Sequence, residues 1–135
     1  LHCPGMVAMA RGNDKDSAST EFYINIGQAP RHLDRNMSVF ARVVHGIDAA
    51  QRMQRGNRAA GGIVEAPNLR AQIHWAKLGT ALPVTEQKQV KVDTVTSKRF
   101  KHRLASAKQR NHEFYVYKGN GNVDVCYYQP TIEVH

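Results

Sequence analysis

The chain has 135 residues, 41% of them hydrophobic and 22% charged, and this length fits one globular domain with a buried core. No stretch approaches the ~20 apolar residues needed to cross a bilayer, and the start of the chain lacks the charged-then-apolar pattern of a signal peptide. The sequence begins with Leu1 rather than Met. We therefore expect further sequence upstream.

The formal net charge of +8 raises the question of a nucleic-acid or membrane partner. The excess is mild except in residues 94–112, where six basic residues meet no acidic one: Lys98, Arg99, Lys101, Arg103, Lys108 and Arg110. A cationic helix of this kind is usually a solvated face. Phosphate or membrane binding is therefore the weaker interpretation, and we do not expect nucleic acid as a partner.

The first third of the chain alternates short apolar runs with polar loops. Residues 6–10, 21–26 and 38–44 predict strands, and the loops 13–20 and 28–36 separate them. The spacing of Ile47, Ala50 and Gln51 predicts a short helix over residues 47–54, with Gly56 as its C-cap. Strands and loops followed by one helix are typical of an antiparallel barrel with one plugged end.

The second half predicts one further strand and then a small mixed unit. Leu69, Ala71, Ile73 and Trp75 alternate with polar residues, which predicts a strand over residues 69–78 with one buried face. Residues 80–89 form a linker ahead of a short strand at residues 90–92.

A helix and a hairpin are predicted at the end of the chain. Asp93 or Thr96 can cap a helix whose buried stripe is Phe100, Leu104 and Ala107. Residues 113–128 predict a β-hairpin with its turn at residues 119–121, which include two glycines.

Two cysteines, Cys3 and Cys126, lie far apart in the sequence. They form either one long-range disulfide in an oxidising compartment or two small buried apolar side chains. The disulfide is slightly favoured.

Several short blocks of sequence together resemble one known family. "GMVAMARG", "STEFYINIG", "HLDRNMSVFARVVHGID" and "MQRG" occur in the order and spacing of the second half of the cyclophilin peptidyl-prolyl isomerases. The segment "APRHLDRN" and the tail of mixed α and β structure are similar to those of a group of bacterial cyclophilin-type proteins that carry a C-terminal extension. The resemblance is good over residues 5–56 and looser beyond them.

The resemblance implies a mainly β fold. Residues 1–80 would be the C-terminal part of a cyclophilin-like antiparallel β-barrel, and residues 81–135 a helix-plus-hairpin extension packed on that barrel. We predict that this chain alone does not close a barrel. Its edge strands would then pair with a missing N-terminal segment, a second chain or the extension, because unpaired edges invite aggregation.

The resemblance also implies a substrate groove and the residues that line it. Ala10 and Leu33 keep the family's residue types, and Tyr23 stands for a phenylalanine under the proline ring. Four other positions depart from the family pattern: Arg11 for asparagine, Glu21 for glutamine, His32 for tryptophan, and Met37 for histidine. Ionised Glu21 only accepts hydrogen bonds, whereas glutamine also donates.

The implied activity is cis–trans isomerisation of Xaa-Pro bonds in protein folding, with proline-containing peptides or unfolded proteins as partners and no cofactor or metal. The family's "Phe-x-Arg" strand, which carries the catalytic arginine, has no match here, and neither Arg11 nor Arg31 replaces it. The catalytic residue is therefore unknown. The alternative is a binding module without useful catalysis. A periplasmic or secreted location is expected, with the cytoplasm as the alternative.

Three other kinds of site are weakly indicated. Asp14 and Asp16 suggest calcium only faintly, because the loop lacks the glycine and terminal glutamate of an EF-hand. Ser17, His32 and Asp34 have no nucleophile-elbow context. Cys3 beside His2 lacks further metal ligands nearby.

Overall fold

The computed structural model describes residues 1–28 and 30–135; Ala29, part of the predicted loop 28–36, lies outside the described residues. Five strands and two α-helices form in chain order. They are β1 (Met6–Met9), β2 (Phe22–Ile24), β3 (Val39–Arg42), α1 (Ile47–Arg52), β4 (Val90–Val92), α2 (Lys98–Gln109) and β5 (Ile132–Val134). Short 3₁₀ turns connect several of them, including one at Arg31–Leu33 and one at Val125–Tyr128.

The three N-terminal strands form an antiparallel sheet in the order β2-β1-β3. Val7 lies opposite Ile24 and Ala8 opposite Tyr23, and a bulge shifts the pairing of β1 with β3 between Val7 and Ala8. Because β1 has a partner on each side, its backbone is paired and Val7 and Ala8 are buried. The strand predictions for this region are confirmed, with each strand one to three residues shorter than expected.

The sheet is open, since β2 and β3 each lie at an edge within the described residues. The chain does not close a barrel in the part that the structure describes, as predicted. The fold class is therefore confirmed only as far as its antiparallel β-structure with few helices. α1 also ends earlier than expected, at Arg52 with Met53 as its C-cap, so that Gly56 is not the cap.

The predicted strand over residues 69–78 is wrong. These residues have no strand structure, and their side chains are exposed, including Ile73 and Trp75 at 73% and 68%. Alternating apolar residues stabilise a strand only when a neighbouring strand pairs their backbone. None of the described strands pairs with this segment.

The C-terminal helix α2 forms, but its cap differs from both candidates. Ser97 is the N-cap, and its hydroxyl accepts the Phe100 N–H at 2.9 Å. Thr96 lies one residue before this cap and Asp93 four residues before it. The predicted stripe is confirmed in part, because Phe100 is buried while Leu104 and Ala107 are half-buried.

The predicted hairpin over residues 113–128 is also wrong. Positive φ at Gly119 and Gly121 does turn the chain, but the backbone carbonyls on either side bind elsewhere. Arg110 donates to the Lys118 and Asn122 carbonyls at 2.6 and 3.1 Å, so a side chain takes the place of a partner strand. The strand pair of this region is instead β4 with β5, in which Val90 lies opposite Val134.

Contacts distant in sequence join the tail to the sheet. Cys3 and Cys126 form a disulfide across a sequence separation of 123 residues. Arg42, at the end of β3, donates to the Pro130 carbonyl at 2.8 Å. Of the two alternatives for the cysteines, the structure has the disulfide.

The basic residues of α2 are not a freely solvated face. Arg99 pairs with Glu133 of β5, and Arg103 donates to the Tyr127 and Gln129 carbonyls. Like Arg110, these arginines hold the tail, which leaves fewer cations for phosphate. Among the described helices, none has the length and apolar character to cross a membrane.

Candidate functional site

The end of β1 and the start of β2 bring together three of the predicted site residues. Ala10 follows β1, and its N–H donates to the Glu21 carbonyl at 2.9 Å, one pair beyond the ladder. Ala10, Arg11 and Glu21 line a cavity of about 220 Å³ with the polar loop between the strands. The antiparallel register therefore accounts for the distances among these three positions.

Arg11 holds two loops together with its guanidinium group. Its Nε donates to the Asn36 carbonyl at 3.1 Å, and its terminal nitrogen donates to the Gly12 and Asn13 carbonyls at 2.8 and 3.3 Å. These bonds link the loop after β1 to the turn before β3. Arg11 thus shapes the site's border through its Nε and one terminal nitrogen.

Tyr23 lies in the middle of β2 with its ring half-buried. Its hydroxyl is 2.8 Å from Nε2 of His2, and the two rings are nearly parallel. Burial raises the pKa of the Tyr23 phenol, so the group is neutral at physiological pH. On the opposite face of β2, Phe22 and Ile24 line an apolar cavity of about 460 Å³ between β2, α1 and residues 71–73.

His2 is 1% exposed and joins Tyr23 to Asp34. Oδ1 of Asp34 accepts the His2 backbone N–H at 2.8 Å and lies 2.9 Å from His2 Nδ1. The side-chain hydrogen bond from His2, followed by its backbone N–H, lowers the pKa of Asp34 from 3.8 to about 2. Asp34 is therefore a carboxylate at physiological pH, and it only accepts hydrogen bonds.

The turn 31–37 carries the other three predicted residues. Leu33 N–H donates to the Pro30 carbonyl at 2.9 Å, and Met37 N–H donates to the Leu33 carbonyl at 3.1 Å. The Asn36 side-chain amide donates to the His32 carbonyl at 2.8 Å. His32 is exposed, whereas Leu33 and Met37 are half-buried.

Arg31 fixes this turn to the tail. It donates to Asp34 Oδ2 at 3.2 Å and to both carboxylate oxygens of Asp124 at 2.9 and 3.1 Å. The Cys126 backbone N–H, and then Arg31, lower the pKa of Asp124. The disulfide and the bonds of Arg31 to Asp124 and Asp34 thus connect the tail to the turn that carries candidate site residues.

The residues of the weakly indicated sites bind local or structural partners instead. Asp34 binds His2 rather than His32, and Ser17 Oγ donates to the Asp14 carbonyl within its own loop. Asp14 Oδ1 accepts the Asp16 N–H at 2.9 Å, which is an ordinary turn contact. Over residues 1–28 and 30–135, no three His, Cys, Asp or Glu side chains are grouped as metal ligands.

All seven predicted residues lie at one end of the three-stranded sheet or on the turn beside it. Two side-chain links connect strand and turn, Arg11 with Asn36 and Tyr23 through His2 with Asp34. The sequence analysis missed the role of His2. A single polar residue ahead of a strand has no periodicity that would reveal its partners.

Comparison with known proteins identifies the family at this point. A family model described as cyclophilin type peptidyl-prolyl cis-trans isomerase/CLD matches residues 1–77, more than half of the chain. The chain belongs to this family. The match over the sheet confirms the resemblance drawn from the short blocks.

Two relatives show how much of a cyclophilin the chain represents. A probable peptidyl-prolyl cis-trans isomerase of Brucella abortus is 34% identical over 64 residues, which are 47% of this chain and 32% of that protein. A peptidyl-prolyl cis-trans isomerase of Arabidopsis thaliana is 33% identical over 72 residues, which are 53% of this chain and 31% of that protein. This cyclophilin-family chain thus spans about a third of the length of the curated relatives it matches.

Proposed function

We propose that this chain supplies one side of the site of a peptidyl-prolyl isomerase that acts on Xaa-Pro bonds in folding proteins. The observation that carries the proposal is the cross-linking of β2 to the turn 31–37 through Tyr23, His2 and Asp34. It fixes the strand that carries Glu21 and Tyr23 beside the turn that carries Leu33. Family membership supports the same reaction.

Rotation about a prolyl amide needs no nucleophile, metal or cofactor. The barrier of ~18 to 20 kcal/mol comes from the double-bond character of the C–N bond. A site lowers it by binding the twisted amide more tightly than either planar form. An apolar pocket holds the proline ring, and a donor near the amide nitrogen favours the twisted form.

The chain's residues divide these tasks. Tyr23 is the proposed floor under the proline ring, and Leu33 and Met37 are its apolar wall. The backbone at Ala10 pairs with the extended peptide, while Glu21 accepts a hydrogen bond from it. His32 and Arg11 border the groove, although His32 offers less apolar area than tryptophan.

The donor to the amide nitrogen is proposed to come from outside these 135 residues. Arg11 and Arg31 both bind oxygens of the fold and are not aimed at a substrate. The edges of β2 and β3 are open within the described residues, and the relatives are about three times as long as the matched region. An N-terminal segment or second chain that covers these edges would complete the barrel and bring the donor.

The test is a proline-isomerisation assay on the 135-residue chain and on a longer product that includes upstream sequence. Without the donor, we expect the short chain to be slower by roughly two to three orders of magnitude, since one donor at a charge-stabilising site supplies ~3 to 4 kcal/mol. Cyclosporin should inhibit weakly, because His32 replaces the indole that this family inhibitor contacts. Full-rate, cyclosporin-sensitive catalysis by the short chain would refute this account.

A matched pair of variants tests the groove itself. Tyr23→Ala should weaken proline-peptide binding at least about tenfold by removing the floor of the pocket. Tyr117→Ala is the control, because Tyr117 is 89% exposed and distant in sequence from every site residue. Equal effects of the two variants would contradict the assignment of the groove.

The second candidate function is a proline-peptide or protein-binding module without useful catalysis. The engagement of both Arg11 and Arg31 favours it. It predicts that peptide binding persists in the longer product while isomerisation stays at the uncatalysed rate.

An oxidising location, periplasmic or secreted, is proposed on the basis of the Cys3–Cys126 disulfide. Thiol labelling of protein recovered from its natural cell distinguishes the alternatives. Two free thiols in the native protein would favour the cytoplasm.

A further inference from the structure

We propose that His2 is a positioning residue, which holds the Tyr23 ring and the turn 31–37 as one unit and thereby sets how tightly a proline peptide binds. The inference rests on the proposed function, because it concerns the floor and wall of that groove. His2 does not line the groove. It acts through Tyr23 and Asp34.

The first step concerns the hydrogen-bond partners of the two ring nitrogens of His2. The Asp34 carboxylate accepts but does not donate, so the proton between it and the ring belongs to His2 Nδ1. The other ring nitrogen, Nε2, lies 2.8 Å from the Tyr23 hydroxyl and hydrogen-bonds to it. Both ring nitrogens of this fully buried side chain therefore have partners.

The second step concerns Tyr23. The hydrogen bond to His2 and the stacking of the two rings restrict the rotation of the Tyr23 ring about its side-chain bonds. A fixed aromatic floor binds a proline ring with less loss of entropy than a mobile one. The family pattern places a phenylalanine here, which has no hydroxyl for such a contact.

The third step concerns the wall of the groove. Asp34 directly follows the 3₁₀ turn Arg31–Leu33, and its Oδ1 accepts two bonds from His2 while Oδ2 accepts one from Arg31. The carboxylate thus fixes the turn that carries Leu33 to the same imidazole that holds Tyr23. Loss of the contact between His2 and Tyr23 would uncouple Tyr23 from the turn that carries Leu33, while both apolar side chains remain in place.

Two isosteric variants separate the contacts of the ring. Asparagine places an amide nitrogen near the position of Nδ1, so His2→Asn keeps the hydrogen bond to Asp34 and loses the hydrogen bond to Tyr23. Glutamine reaches the position of Nε2, so His2→Gln keeps a partner for Tyr23. Tyr23→Phe removes the same contact from the other side and keeps the ring.

The experiment uses the longer product that includes upstream sequence and that isomerises proline peptides. It measures kcat and KM for a proline peptide at a temperature where circular dichroism shows that each variant is folded. His2→Asn should raise KM about tenfold and leave kcat within about twofold. Tyr23→Phe should do the same, and the double variant should be no worse than either single one. His2→Gln keeps the contact to Tyr23 and the backbone bond to Asp34, so it should raise KM less than His2→Asn does.

The outcomes distinguish the two proposals. An unchanged KM in His2→Asn, or effects of His2→Asn and Tyr23→Phe that multiply in the double variant, would overturn the positioning role alone. If His2→Asn does not fold, an unchanged KM in Tyr23→Phe has the same meaning. Nitrogen NMR of His2 that shows no proton on Nδ1 would also overturn it, whatever the activity. Absence of isomerisation and peptide binding in the unmodified protein would overturn the proposed function and this inference together.

Discussion

Residues 1–44 and residues 57–89 both contain alternating apolar and polar side chains, but their environments are very different. In the first region, β1 lies between two strands, and Cys3, Val7 and Ala8 are buried. In the second, Trp75 and Leu78 are 68% and 78% exposed, and the chain forms isolated 3₁₀ turns. Alternation therefore predicts a strand only where another strand supplies the hydrogen bonds.

Separating the tail from the sheet should cost the most stability. Replacing Cys3 and Cys126 together by alanine removes a link across 123 residues, which the chain-entropy account values at roughly 4 to 5 kcal/mol of unfolding free energy. Urea unfolding with and without dithiothreitol measures the loss. Dithiothreitol should lower the urea midpoint of the unmodified protein and leave that of the double variant unchanged.

The next prediction compares two large aromatic side chains, one buried and one exposed. Phe100 is 5% exposed, so Phe100→Ala should lower the unfolding free energy by about 3 to 5 kcal/mol through loss of buried area and a residual cavity. Trp75 is mostly exposed, so Trp75→Ala should change it by less than about 0.5 kcal/mol. Comparable losses would mean that residues 69–78 are packed in solution and that the contrast between the regions is wrong.

A weaker response is expected from acid. The folded-state pKa of Asp34 is lowered to about 2 from 3.8, so its contribution to stability is complete above pH 3.8 and is lost as pH falls toward 2. Chemical unfolding at several pH values measures the slope of the unfolding free energy against pH. Asp34→Asn should flatten it, whereas Asp48→Asn, in an exposed ion pair with Arg52, should leave it in place.

The most modest change concerns the start of α2. Ser97→Ala removes the hydroxyl that accepts the Phe100 N–H and should cost about 1 kcal/mol of stability. Thr96→Ala, one residue upstream, should stay within about 0.5 kcal/mol. A larger cost at Thr96 would restore the cap predicted from the sequence.

Most of the N-terminal sheet could be predicted from the sequence. The runs that became β1, β2 and β3 are flanked by polar loops, and their pairing is local enough for pattern alone to indicate it. The seven site residues came from the resemblance. The structure places Ala10 opposite Glu21 and sets Leu33 beside Asp34.

The rest depended on partners that no local pattern encodes. The hairpin over residues 113–128 was wrong because the side chain of Arg110 binds the carbonyls that a strand would have used. β4 found its partner in β5, which is far along the chain and beyond α2. His2 escaped notice for the same reason, since its partners Tyr23 and Asp34 are 21 and 32 residues distant.

The position of the disulfide also sets an order of events during synthesis. Cys3 leaves the ribosome long before Cys126, which lies 123 residues later. At translation rates of about 5 to 20 residues per second, the gap is roughly 6 to 25 s. For most of that interval β1, β2 and β3 have already been synthesised, while the sulfur of Cys3 is still a thiol that can attack a disulfide of another molecule. The native disulfide can therefore close only at the end of synthesis, after the N-terminal sheet has been made.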